Sequence, residues 1–123
     1  MRLSQEAFAE AAREAVDGLP AEFREHMRDL AVDVQDVPDA LTLEELGISN
    51  PRGLLGLYRG VPLTKRSVNH LMRMPERIVL YQRNIERMCR SRDEVVEQIR
   101  RTILHEVGHH FGMDERKLRD LGY

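Results

Sequence analysis

The chain has 123 residues, 41% of them hydrophobic, with 19 basic and 21 acidic side chains and a formal net charge of −2. That is the size of one small domain with a thin core, and the charge balance excludes a general attraction to nucleic acid or to an anionic membrane. The one cysteine, Cys89, cannot form an internal disulfide and reads as a small packing residue in a reducing setting.

The N-terminal segment has no apolar run of signal length, and Glu6 and Glu10 interrupt it. No stretch approaches the ~20 apolar residues of a membrane span. A cytoplasmic protein is therefore expected. Ser4 is a predicted N-cap, with Ala7, Phe8, Ala11, Ala12, Ala15 and Val16 at helical spacing until Gly18 and Pro20 stop the helix. Ala21 to Met27 continues as a helical turn. Leu30 to Val37 alternates apolar and acidic residues and is predicted as a strand. Leu41 to Leu46 forms a short helical turn closed by Gly47, and Asn50-Pro51-Arg52-Gly53 is a turn. Leu54 to Val61 is predicted as a second strand, Thr64 to Arg73 as polar and irregular, and Arg77 to Ile85 as a third strand.

Ser91, with Glu94 three residues on, predicts the start of a long helix. Val95, Ile99, Ile103 and Val107 step by four along one stripe of it. Asp114 is positioned to cap a last helix from Glu115 to Leu121. The pattern predicts an α+β class: one helix-rich domain over residues 1–123, with a small sheet laid on the long helix.

The long helix ends in His105-Glu106-Val107-Gly108-His109-His110-Phe111-Gly112, an H-E-x-x-H motif with Gly112 seven residues after its first His. Residues four apart lie one turn apart on nearly the same helix face. His105 and His109 can thus offer both imidazoles to one metal ion. Glu106 sits ~100° round the helix, placed to reach a metal-bound water as a base without itself binding the metal. His105 is ~200° from both Ile103 and Val107, so the stripe faces the core while the imidazoles face a cleft. Two His ligands and a carboxylate base are the working parts of a zinc hydrolase. Catalytic zinc usually takes three protein ligands. A helix broken at Gly112 returns the chain toward the metal, which makes Glu115 the candidate third ligand and Asp114 its alternative. His110 points away by ~100° and is a poor candidate.

The motif, together with Gly56-Leu-Tyr-Arg-Gly-Val-Pro-Leu63 and Arg77-Ile-Val-Leu-Tyr-Gln-Arg-Asn-Ile-Glu86, resembles the minimal zincin family of small bacterial possible zinc metallopeptidases. The resemblance runs from about Leu30 onward. It implies a short mixed sheet of about three strands packed on the motif helix, with helices at both ends of the chain. It implies one zinc ion held by His105 and His109, with Glu106 as general base and the third position on Glu115, where Asp or His is more usual in related zincins. A carboxylate there implies weaker zinc binding than a third His. The implied partner is a peptide or protein substrate, and Tyr58 and Tyr81 are candidate oxyanion donors. The third predicted strand is the candidate rim on which an extended peptide adds.

Two rival readings belong to other classes. One is a degenerate zincin-fold binding or regulatory module with little hydrolase activity. The other is nucleic-acid binding through Lys65, Arg66, Arg73, Arg77, Arg83, Arg87, Arg90 and Arg92, with Arg100 and Arg101 nearby. A solvated basic face explains that run more simply, and nucleic acid ranks last among its partners.

Overall fold

The computed structural model describes residues 1–28, 30–59 and 76–120. Ser4 accepts a hydrogen bond from the Ala7 N–H at 3.0 Å and starts α1 (Gln5–Asp17), whose Phe8, Ala11, Ala12 and Ala15 are buried. Pro20 separates it from α2 (Ala21–Met27), a distinct helix that buries Phe23 and Met27. Strand β1 (Ala31–Gln35) follows, shorter than the predicted run, and then α3 (Ala40–Leu46). Asp39 caps α3 by accepting from the Thr42 N–H at 2.8 Å, and Gly47 closes it in the left-handed region.

A 3-10 turn at Pro51–Gly53 leads into β2 (Gly56–Arg59). Strand β3 (Arg77–Tyr81) gives way at Gln82 to α4 (Gln82–Arg87). The predicted strand over Arg77 to Ile85 is therefore half strand and half helix. The polar side chains of that half are buried and bonded to distant segments. Gln82 donates to the Leu3 carbonyl at 2.9 Å, Glu86 accepts from the Leu3 N–H at 2.8 Å, and Asn84 donates to the carbonyls of Pro51 and Leu54 at 2.7 Å each. The long helix α5 (Arg92–His110) and the short α6 (Glu115–Asp120) complete the order. The expected irregular stretch over Thr64 to Arg73, the end of the second predicted strand and Leu121 lie outside the described residues.

The three strands form a mixed sheet in the order β1-β3-β2, with β1 parallel and β2 antiparallel to β3. Strand β3 is the central one, with Ile78, Val79, Leu80 and Tyr81 all at most 1% exposed. Helix α5 lies against α1, β2, β3 and α6. Its stripe of Val95, Ile99, Ile103 and Val107 is fully buried in the core. Serine 91 accepts from the Glu94 N–H at 3.2 Å, and the Glu94 carboxylate reaches back to the Arg90 N–H at 2.9 Å. An ion pair of 2.6 Å between Arg92 and Glu14 ties the start of α5 to α1. No helix among the described residues is long and apolar enough to cross a membrane.

Candidate active site

The register of β2 decides what the sheet presents to α5. The Tyr81 N–H donates to the Leu55 carbonyl at 2.9 Å, and Leu57 pairs with Val79. Antiparallel rungs alternate along a strand. The backbone groups of Leu55, Leu57 and Arg59 therefore face β3, and those of Gly56 and Tyr58 face the other edge of β2, which no strand covers among the described residues. The outward N–H of Tyr58 lies toward the Glu106 carboxyl and acts to lower its pKa.

Gly56 sets how close that edge comes to the helix. A Cβ at this position would lie 2.5 Å from Thr102 Cγ2 and 3.2 Å from the Val79 carbonyl oxygen. Any side chain would push β2 off α5. Two residues further along the strand, the Tyr58 ring stacks on His110 with centroids 3.9 Å apart. Strand and helix therefore run side by side in the same sense, Gly56 beside Thr102 and Tyr58 beside Glu106 and His110.

Between them lies a cleft of about 410 Å³ lined by Gly53, Leu54, Leu55 and Gly56 on one wall and Gln98, Arg101, Thr102, His105 and Glu106 on the other. The first wall is pinned from behind by the two Asn84 hydrogen bonds, and Arg87 donates to Asn84 Oδ1 at 2.7 Å. All of the polar capacity of that buried amide is aimed at fixing the wall and α4. Sequence reasoning missed Asn84, Gly56 and Thr102. Asn84 reaches Pro51 and Leu54, and Gly56 meets Thr102, each 30 or more residues away, and periodicity carries no trace of these contacts.

His105 is half-buried, His109 is exposed, and their ring centroids are 6.1 Å apart with planes tilted by 32°. Two imidazoles binding one zinc at ~2 Å from each nitrogen have ring centres on the order of 5–6 Å apart. The observed spacing comes within a small side-chain adjustment of that. Glu106 is half-buried beside them. Burial pushes its carboxyl above the usual carboxylate range, while the Tyr58 N–H and the two flanking imidazoles act in the opposite direction.

Helix α5 ends as the sequence predicts. Gly112 has φ +81°, its N–H donates to the His109 carbonyl at 3.1 Å, and the Met113 N–H donates to the Gly108 carbonyl at 2.7 Å. This pair of bonds is a Schellman turn, and it sends the chain back along α5. Leu118 of α6 is fully buried against Gly108, where a Cβ would stand 2.9 Å from Leu118 Cδ2. Asp114 caps α6, accepting from the Lys117 N–H at 2.9 Å. Glu115 opens α6, and its side chain lies outside the described residues. Among the described residues, no three His, Cys, Asp or Glu side chains form a group able to hold a metal ion.

Other expectations need correction. Strand β3 is flanked on both sides, so it cannot be a cleft rim; among the described residues the sheet edge beside the motif helix is that of β2. Neither tyrosine hydroxyl opens to the cleft. Tyr81 is 1% exposed within β3. The Tyr58 hydroxyl is sealed, close to Glu76 without closing a hydrogen bond of ordinary geometry. Burial and that carboxylate both push its pKa up. Most arginines of the basic run are engaged with nearby side chains: Arg77 with Asp33, Arg83 with Glu86, Arg87 with Asn84, Arg92 with Glu14, and Arg100 and Arg101 both with Glu97. Lys65, Arg66 and Arg73 lie outside the described residues.

No curated protein matches the chain. A family model described as zincin-like metallopeptidase matches residues 27–123, which takes in the whole sheet, the motif helix and the turn after it. With two tilted imidazoles, a carboxylate between strand edge and helix, and that match over most of its length, the chain belongs to the zincin-like metallopeptidase family.

Proposed function

We propose that this chain is a zinc-dependent peptidase whose general base is Glu106 and whose metal ligands are His105, His109 and Glu115. One observation carries the reading. Glu106 lines the cleft, with the Tyr58 N–H toward one side of its carboxyl and the two imidazoles close enough to favour its charged form. The donor set fits zinc, which takes imidazole nitrogen and carboxylate oxygen in an open site. Asp114 is bonded to the backbone of its own helix, which leaves Glu115 as the better third ligand. When bound, zinc polarises the substrate carbonyl and makes water easier to deprotonate.

The rest falls to the chain's own residues. A peptide laid antiparallel along the open edge of β2 meets the N–H and C=O of Gly56 and the C=O of Tyr58, which orient it by strand addition. Glu106 takes the proton of the attacking water and hands it to the leaving amine. The Tyr58 N–H fixes the carboxylate for both transfers.

Replacing Glu106 by Gln tests this reading. Turnover of a cleaved peptide is expected to fall about 10³-fold, with zinc per chain, measured by mass spectrometry, unchanged. Unchanged turnover removes Glu106 from the base role. A wild-type chain that binds zinc and cleaves nothing favours the binding-module reading.

A further inference from the structure

Resting on the peptidase reading, we propose that Arg101 selects peptides with a carboxylate side chain just downstream of the scissile bond. Arg101 is four residues before His105, one helical turn or ~6 Å from the first ligand, and it lines the same cleft wall as His105 and Glu106. Among the described residues that line the cleft it is the one arginine or lysine.

The pairing of Arg101 leaves it able to take a second anion. Its Nε donates to Glu97 Oε1 at 3.2 Å, and the other oxygen of that carboxylate is taken by Arg100. Arg100 lies toward α1, its Cδ 4.0 Å from where a Cβ on Gly18 would stand. One carboxylate therefore serves two guanidiniums, that of Arg100 toward α1 and that of Arg101 toward the cleft. The cleft-lining guanidinium of the two, that of Arg101, is held by Nε. A guanidinium anchored in that way presents its terminal nitrogens as a planar fork suited to a carboxylate. Leu54 and Leu55 on the facing wall give the aliphatic part of a Glu or Asp side chain an apolar surface.

Strand direction fixes which side of the scissile bond is read. Strand β2 runs in the same sense as α5, from Gly56 beside Thr102 to Tyr58 beside Glu106. A peptide antiparallel to β2 therefore travels from the Tyr58 end, past Glu106, toward Gly56, Gln98 and Arg101. The residues after the cut are the ones that meet Arg101.

The test uses alanine-based peptides carrying a single Glu, Gln or Lys at successive positions. Binding is read by fluorescence anisotropy on the zinc-loaded full chain bearing Glu106→Gln, and cut sites are read by mass spectrometry on the wild type. Glu peptides should bind about tenfold more tightly than Gln peptides, an effect sized for a partly exposed charge pair. The preference should vanish on adding Arg101→Gln and turn toward Lys on adding Arg101→Glu, with zinc content constant. Wild-type cuts should fall on the N-terminal side of Glu. A Glu preference that survives Arg101→Gln, or none at all, overturns the inference while leaving peptidase activity standing. Binding of Glu peptides that depends on Arg101, with no cleavage by wild type, sinks the peptidase reading and keeps Arg101 as the selector. Failure of every peptide to bind overturns both.

Discussion

The two faces of α5 do opposite work. One carries Val95, Ile99, Ile103 and Val107, all fully buried, and holds the helix against α1 and the sheet. The other carries Gln98, Arg101, Thr102, His105 and Glu106, which line open space. The apolar face tolerates little change in volume, because protein interiors are close-packed. The polar face holds the chemistry, and its side chains can change without opening a cavity. That split makes one helix both the centre of the core and one wall of the cleft.

The sharpest challenge to the contrast is Ile103→Ala. It should cost about 3 kcal/mol of stability through the cavity it leaves, seen as a lower urea midpoint, while zinc per folded chain stays constant. A variant that lost zinc in step with its small loss of packing would show that the two faces are not separable.

Gly56→Ala probes the seam where strand edge and polar face meet. Crowding Thr102 Cγ2 should cost on the order of 1–3 kcal/mol and move the Tyr58 N–H away from Glu106, so that kcat falls more than KM rises. Adding Thr102→Ser removes the offending methyl and should recover much of the activity. No recovery would mean that the Val79 carbonyl, not Thr102, sets the limit.

The smallest effect lies far from both faces, at Asp39. Hydrogen bonds from Thr42, the backbone N–H first, hold its carboxyl below the ordinary value of 3.8. Its folded pKa is depressed, so its contribution to stability is complete above the unfolded value and is lost as pH falls through the folded one. An Asp39→Ala variant should match the wild type at the acid end of a stability–pH profile and fall below it above about pH 4. A constant gap at every pH would exclude the cap as its cause.

Local signals made the frame of this protein legible. Ser4 and Ser91 cap as their positions announce, the four-residue stripe is the core face, and Gly112 breaks the motif helix with a positive φ. His105 and Glu106 line the cleft, and His109 follows His105 one helical turn on. Misread features depended on partners remote in sequence. Ile78, Leu80 and Gln82 alternate like a strand, yet Gln82 opens α4, where its amide donates to the carbonyl of Leu3 at the far end of the chain. The central position of β3 follows from a parallel pairing with β1 more than forty residues away, which no local pattern encodes. The same holds for Asn84 behind the cleft wall. Arg101 was visible only as one charge in a basic run, and its place beside His105 emerges once β2 is seen to build the opposite wall.

The turn at Gly112 works as a ruler. Its spacing is kept by two main-chain hydrogen bonds and a dihedral angle, none of which depends on the side chain that follows. The position that opens α6 is delivered to the same place whatever residue occupies it. On the ligand set proposed above, metal preference can then drift by single substitutions at that position, toward softer or harder donors, without any redesign of the scaffold that carries it.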